Sequence, residues 1–321
     1  MYSLIYDVAE EFGIRPLNIY KCKYYYILNC AEGTYSFCQA RPKAGKITEI
    51  HSVKTELASM GICNIDTYSV SEEGLPYAQR DGRLYTITRF FGSNELNFMN
   101  SNQVALTLRS IGTIHRGLRN MEKRTVYAAG ESRNRVLEKY TRELKDMQCI
   151  KKHIGKRMWD MDISYVFDSF MERAAESVDR LGSLGYGENP TYCHNGLKEG
   201  NIIYKKGRVY IIDWDNMKHL SYIEDIAFFV KRYMRKNCYY SAAAGSPYMS
   251  LEECLNRYSA YGSISDHDYD VLKAVLLYPQ RFIDTIKEGF RTGKTFLPSG
   301  VRRKLEECIE QKSFEEEYLR I

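Results

Sequence analysis

The stretch CHNGLKEGNIIYKKGRVYIIDWDN, residues 193–216, decides the fold of this chain. It holds His194, then Asn201 seven residues later, and then two short apolar runs, the second of which leads to Asp213. The dipeptide Lys206-Gly207 between the runs predicts a tight turn. The stretch therefore predicts a polar loop followed by a small β-hairpin with an aspartate at its end.

The first hundred residues around this stretch have a strand-like pattern that one helix interrupts. Strands are predicted at 18–30, 33–40, 63–70 and 76–91, and the helix is predicted at 46–61, where apolar residues recur at steps of three and four. After residue 92 the pattern is helical, with amphipathic segments at 102–118, 132–154 and 161–183. We predict an α+β chain with a strand-rich N-terminal lobe, 1–91, and a larger, mainly helical lobe, 92–321, joined through residues 88–92.

Composition excludes several classes of function. The 46 basic and 41 acidic residues are mixed along the chain, so no nucleic-acid partner is predicted. No window approaches 18 apolar residues and the N-terminal segment is acidic, so we expect no membrane span and no export signal. The nine cysteines form no CxxC pair and no zinc-type grouping, which favours reduced thiols over disulfides or a structural metal.

A strand-rich lobe, a linker and a helical lobe that carries a hairpin are the plan of the protein-kinase-like, bilobal fold. Phosphoryl transfer in this fold uses a carboxylate as base, oxygen ligands for Mg²⁺ and a lysine on the third strand. Aminoglycoside and choline-type phosphotransferases carry a His-x-Asp-x-x-x-x-Asn loop and a later strand that ends in aspartate. His194, Asn201 and Asp213 match this frame, whereas Gly196 stands at the position of the base.

Gly196 has no group that accepts a proton, and loss of a general base costs about 10²- to 10⁴-fold in rate. Glu199 and Asp215 are the nearby substitutes. Glu199 lies three residues further along the loop and would need a different backbone path to reach the same point. The sequence therefore predicts impaired catalysis.

Asn201 and Asp213 are hard oxygen donors of the kind that bind Mg²⁺ beside phosphates. Two interpretations stay open, because Asn201 could equally brace the loop and Asp213 could simply end a strand. His194 is predicted to be a scaffold residue, satisfied by hydrogen bonds in the core.

The third strand, GTYSFCQARPK, lacks the expected lysine. Alternation places Cys38 at the lysine position, on the same face as Ser36. Arg41 would face the opposite side if the strand is regular, and Lys43 lies in a turn beyond the proline. Neither is predicted to replace the lysine.

Other nucleotide-binding elements are also incomplete. Glu56 on the following helix is at the usual position of the lysine's partner, and Arg89 and Phe90 in the linker are candidates for nucleotide contact. The turn NCAEGT has a single glycine, so no glycine-rich phosphate cradle is predicted. ATP and Mg²⁺ are the cofactors to expect if one binds.

The chain is similar to the CotS-type spore coat proteins, relatives of aminoglycoside phosphotransferases in spore-forming bacteria. The likeness rests on the order and spacing of GTYSFCQ, EIHSVKTELASMGI, EEGLPYAQRDGRLYTITRFFGSNELNF, GTIHRGLRN, CHNGLKEGNIIY, YIIDWDN, YIEDIAFFVKRYMRK, LLYPQRFIDTIKEGF and KLEECIEQKSFEEEYL. The resemblance implies that Asn201 and Asp213 match magnesium ligands and that Asp225 matches an acid that braces the loop. Gly196 and Cys38 depart from the family pattern.

The resemblance implies a kinase-like fold and a place in the spore coat. Together with the departures at Gly196 and Cys38, it leads to our first hypothesis, a non-catalytic pseudokinase that acts in spore coat assembly by binding other spore coat proteins. Such a protein would be made in the mother-cell cytoplasm and deposited in the coat. An alternative is an active phosphotransferase that uses ATP and Mg²⁺ with Glu199 or Asp215 as base. A third hypothesis is a nucleotide sensor that transfers nothing.

Overall fold

The computed structural model describes residues 2–124, 135–154, 160–185, 191–244, 248–293 and 297–320. Within them, helices α1 to α10 cover Tyr2–Glu11, Ala44–Ser59, Ser101–Arg124, Arg135–Lys151, Asp160–Leu184, Tyr222–Ala244, Leu251–Gly262, Asp266–Leu277, Gln280–Arg291 and Ser299–Leu319. Strands β1 to β9 cover Asn18–Lys21, Tyr26–Cys30, Gly33–Gln39, Ala78–Arg80, Arg83–Arg89, Thr191–Cys193, Ile202–Lys205, Arg208–Ile211 and Lys218–Leu220. The predicted α+β class is confirmed, with an antiparallel sheet near the N-terminus and a mainly helical remainder.

The chain packs into two compact units, each built from separate segments. Unit 1 consists of Met1–Tyr127, His194–Lys218 and Arg257–Gly262. Unit 2 consists of Ala128–Cys193, His219–Asn256 and Ser263–Ile321. The predicted lobe boundary after residue 91 stays a prediction.

Unit 1 contains a five-stranded antiparallel sheet in the order β1-β2-β3-β5-β4. One face of it packs on α1, with Ile5 and Val8 from the helix and Phe12 just beyond its end in one core cluster with Phe37 and Ile87 from the sheet. The sequence patterns predicted a single helix in this region, so α1 was not predicted. The spacing of its buried residues, three and four apart, was the available signal.

The strand predicted at 63–70 was wrong. The segment forms isolated bridges instead, from Ile65 to Ile211 and from Tyr68 to Thr88. Each bridge pairs with a different strand, so no continuous ladder forms although the residues themselves favour strands. The segment nevertheless passes close to the end of β8, since Ile65 is bridged to Ile211.

The hairpin in the opening stretch is confirmed. Strands β7 and β8 pair with Lys205 opposite Arg208, and the turn residues Lys206 and Gly207 have φ values of 48° and 76°. Positive φ at both central positions is the geometry of the tight turns that match strand twist. Ile202 and Ile211 are buried, so the hairpin is anchored on its apolar face.

Helix α3 carries the apolar stripe that the sequence predicts, and its residues Val104, Leu108, Ile111, Ile114 and Leu118 are all buried. The helix also meets the end of α7, which belongs to unit 1 from residue 257. A Cβ on Gly112 would lie 2.6 Å from the carbonyl oxygen of Tyr258, so the two backbones touch there. His115 Nδ1 lies 3.1 Å from the Tyr258 hydroxyl, and Arg119 donates to the carbonyl of Gly262.

Unit 2 is held by buried tyrosines and by one unusual lysine. The rings of Tyr140 and Tyr278 stack at 3.5 Å. Lys231 donates from Nζ to the carbonyl oxygen of Tyr278 at 2.9 Å. Burial lowers the pKa of Lys231 to about 7. None of the helices in the described ranges has the length and apolar character needed to cross a membrane.

Candidate functional site

The loop that follows β6 is tied to the end of the hairpin by hydrogen bonds. His194 is buried, and its Nε2 donates to the carbonyl oxygen of Ile212 at 2.9 Å. Asn201 donates from Nδ2 to the carbonyl oxygen of Gly196 at 3.0 Å, and its own carbonyl accepts from the amide of Ile212 at 2.9 Å. Asn201 therefore braces the loop with its amide nitrogen, and Oδ1 is the end of the side chain that this bond does not use.

Gly196 lies buried in this loop at the predicted base position. A Cβ there would lie 3.4 Å from His194 Nδ1 and 3.6 Å from Asn201 Nδ2, which is close to ordinary contact. Gly196 is not among the residues with positive φ. Packing therefore leaves room for a side chain, and the missing acid is not imposed by the fold. Glu199, the first predicted substitute, is half-buried and begins a short 3₁₀ turn that ends at Asn201.

Asp213 follows the last residue of β8 by two positions and has left-handed backbone angles, φ 63° and ψ 66°. This region is uncommon for residues other than glycine, although aspartate tolerates it better than most. The amide of Asp213 donates to Oδ2 of Asp66 at 3.2 Å. That bond helps to fix the unusual turn, and Asp66 comes from the segment that forms isolated bridges.

Asp66 also forms an ion pair with a buried lysine, Lys54, which was not predicted from the sequence. Lys54 on α2 places Nζ 2.8 Å from Asp66 Oδ1, and their side chains are 1% and 10% exposed. The same ammonium lies 4.3 Å from the centre of the Tyr68 ring. One carboxylate therefore joins helix α2 to the turn at Asp213.

Glu56, which was predicted as the partner of a strand lysine, is half-buried two residues beyond Lys54. The described residues show no ion pair for it. The signal for Lys54 was present in the sequence, because Ile47, Ile50, Lys54 and Leu57 follow steps of three, four and three. A lysine on the buried stripe of a helix is a rare position and points to a buried partner.

Cys38 occupies the face of β3 that the sequence predicts. Its Sγ lies 3.3 Å from Thr86 Oγ1, while Phe37, one residue earlier, enters the core on the other face. Burial raises the pKa of the Cys38 thiol, and Asp215 and Asp213 raise it further, against the hydrogen bond from Thr86. The thiol therefore stays neutral and supplies no cation for phosphates.

Arg41 meets both aspartates at the end of the opening stretch. Its Nη2 lies 3.3 Å from Asp213 Oδ1, and its Nε lies 3.4 Å from Asp215 Oδ2. Arg41 was predicted to face the opposite side only if the strand stays regular as far as residue 41. Because β3 ends at Gln39, strand alternation does not extend to residue 41 and Arg41 reaches the aspartates. Burial and then Asp213 raise the pKa of Asp215, and Arg41 acts against this rise.

The remaining predicted residues lie elsewhere. Arg89 is the exposed last residue of β5, and the amide of Phe90 donates to the carbonyl of Thr34 at 2.9 Å. Asp225 is buried in the first turn of α6, in unit 2. The nucleotide contacts proposed for Arg89 and Phe90, and the bracing role of Asp225, stay predictions.

Three side chains near the end of the hairpin offer oxygen atoms that could bind a divalent cation. Asp213 and Asp215 supply carboxylates and Asn201 an amide oxygen, all hard donors that suit Mg²⁺. Within the described ranges, no group of three or more His, Cys, Asp or Glu side chains forms a metal site. The donors thus fit a divalent cation in kind, but Arg41 holds both carboxylates.

Comparison with known proteins agrees with the fold. A model of the phosphotransferase enzyme family matches residues 72–247, more than half of the chain.

An aminoglycoside phosphotransferase from Alicyclobacillus acidocaldarius is 15% identical, with 98% of this chain and 93% of that chain covered and a TM-score of 0.79. The AMP-bound spectinomycin phosphotransferase APH(9)-Ia is 14% identical, covering 97% and 98%, with a TM-score of 0.61. Amicoumacin kinase hAmiN, in complex with AMP-PNP and Ca²⁺, is 14% identical, covering 98% and 93%, with a TM-score of 0.60. No curated protein matches the chain. These structural likenesses support the kinase-like fold that the sequence predicts.

Proposed function

We propose, on the premise that this chain belongs to the phosphotransferase enzyme family, that it keeps the family's fold but transfers no phosphoryl group. The observation that carries the proposal is Gly196, which offers no proton acceptor although the loop has room for a side chain. Two further observations support it. Cys38 replaces the lysine, and Arg41 forms ion pairs with both aspartates that would face a metal ion. The protein is therefore proposed to be a pseudokinase.

We further propose that it acts in the spore coat, where it binds other coat proteins. This step rests on the likeness to CotS-type proteins in the ordered sequence motifs. A tagged chain expressed during sporulation should be recovered in the coat extract of purified spores. Recovery from the cytoplasm of vegetative cells alone would overturn the coat assignment.

A thermal-shift experiment with ATP, with and without Mg²⁺, tests the catalytic part of the proposal. Ligand at one hundred times its dissociation constant stabilises a protein by about 2.7 kcal/mol, so ATP at about 1 mM would give this stabilisation for a dissociation constant of about 10 μM. We expect no shift on addition of ATP, with or without Mg²⁺, and no phosphate release with a panel of hydroxylated acceptors. Turnover by the purified chain that disappears in Asp213→Ala would overturn the proposal. A shift without turnover would identify a nucleotide sensor.

An active phosphotransferase remains the second candidate because of Asp215. Burial and the neighbouring Asp213 raise the pKa of Asp215, and an ionised carboxylate with a raised pKa is a better proton acceptor. If Asp215 acts as base, Asp215→Asn should lower turnover by about 10²- to 10⁴-fold. If the base is simply missing, Gly196→Asp with Cys38→Lys should create or strengthen transfer, and the space at Gly196 indicates that the first substitution folds.

A further inference from the structure

Arg41 is the charged side chain that contacts both Asp213 and Asp215. Two different guanidinium nitrogens are used, Nη2 toward Asp213 at 3.3 Å and Nε toward Asp215 at 3.4 Å. The fork of one arginine thus spans two carboxylates, as its fixed planar geometry permits. A single cation lies where two acids separated by one residue would otherwise repel each other.

Among the described residues, the neighbouring cation forms its ion pair with Asp66 and not with these two acids. Lys54 is paired with Asp66 and lies over the Tyr68 ring, and its ammonium is almost wholly buried. Asp66 is therefore neutralised by its own partner. The charge that remains to be balanced belongs to Asp213 and Asp215, and Arg41 supplies one positive charge against their two negative charges.

Arg41 is held loosely in this position. Its side chain is 73% exposed, whereas those of Asp213 and Asp215 are 27% and 24% exposed. Ion pairs with such exposure contribute about 0–1 kcal/mol, so little free energy is lost when the arginine leaves. A doubly charged cation would balance both carboxylates more completely than one guanidinium does.

We propose that Arg41 is the resident counter-cation of the Asp213–Asp215 pair and that a divalent cation binds these carboxylates only by displacing it. This inference builds on the proposed function, because it explains how the acids persist in a protein that has lost phosphoryl transfer. The arginine acts as a tethered competitor that lowers the affinity of the site for free cations.

Binding of Mn²⁺ alone, without nucleotide, tests the proposal directly. Free Mn²⁺ is measured by electron paramagnetic resonance during titration of the whole chain, with Arg41→Gln compared with the unsubstituted protein. Because about 1.4 kcal/mol corresponds to a tenfold change in affinity, removal of an arginine whose ion pairs are worth about 0.7–1 kcal/mol should tighten Mn²⁺ binding roughly 3- to 5-fold. The double variant Arg41→Gln with Asp213→Asn should lose the gain.

Lys43→Gln is the matched control, since Lys43 is an exposed cation two residues away with no ion pair among the described residues. It should leave the affinity unchanged. Equal affinity of Arg41→Gln and the unsubstituted protein, an equal gain in Lys43→Gln, or no Mn²⁺ binding by Arg41→Gln would each overturn the inference. Phosphate release by the unsubstituted protein would overturn the proposed function instead, so the two failures are distinguishable.

Discussion

Two ion pairs in unit 1 approach the same turn from different sides, and their surroundings differ sharply. The Lys54–Asp66 pair is closed off from solvent and is also bonded to the backbone of Asp213. Arg41 reaches the side chains of the same turn from solvent. Because an unpaired charge is costly only where water cannot reach it, the first pair belongs to the architecture and the second is exchangeable.

The largest effect is expected from Lys54→Met. This substitution leaves the Asp66 carboxylate buried without its cation, which should reduce the free energy of unfolding by about 3–5 kcal/mol. Denaturant unfolding at neutral pH measures the loss. Adding Asp66→Asn should restore part of it, because the buried charge disappears while an oxygen remains to accept from the Asp213 amide.

Lys46→Met on the same helix provides the comparison for that experiment. Lys46 is paired with Glu49 at 2.8 Å, but the two side chains are 31% and 39% exposed. Its loss should cost less than about 1 kcal/mol. Equal losses for Lys46→Met and Lys54→Met would show that burial does not distinguish the pairs.

An intermediate effect on stability is expected from Lys231, whose Nζ donates a hydrogen bond to the carbonyl oxygen of Tyr278. Burial lowers its pKa to about 7 in the folded protein, against 10.5 for the group in its ordinary state. Between these values the unfolded chain binds more protons, so stability rises as pH increases from about 7. Unfolding free energy should increase by about 2–3 kcal/mol from pH 6.5 to pH 9. Lys231→Met should remove this rise in unfolding free energy with pH. A dependence on pH as steep as that of the unsubstituted protein would contradict the prediction.

The smallest effect on stability is expected from Arg41→Gln. The free energy of unfolding should change by less than about 1 kcal/mol, and the difference should vanish at 1 M salt because exposed charges are screened. Since Arg41 opposes the rise in the pKa of Asp215, the substitution should raise that pKa further, as followed by carboxyl chemical shifts. A stability loss as large as that of Lys54→Met would mean that Arg41 is structural.

Features that depend on local chemistry were predictable from the sequence. The hairpin follows from the Lys206-Gly207 turn between two apolar runs, and α3 follows from its apolar spacing. The face of β3 on which Cys38 lies follows from strand alternation, which holds as far as the strand extends. The sequence also placed His194 in the core and left open whether Asn201 braces the loop, which its amide does.

Features that depend on long-range contacts were not predictable in the same way. Arg41 lies just beyond the end of β3, so its direction is set by the chain path and by aspartates 172 and 174 residues later. The role of Lys54 was not predictable, because its partner Asp66 comes from a separate segment that packs against the buried face of α2. Residues 63–70 have strand-like composition, but their neighbours offer only single bridges.

The contact between α3 and the end of α7 has a consequence for synthesis. Gly112 meets Tyr258, so the first 127 residues emerge from the ribosome well before their last packing partner, at residues 257–262. At translation rates of about 5–20 residues per second, this wait is on the order of ten seconds. During that time α3 lacks its contact with α7, and a chain that stops before residue 257 would never form this contact.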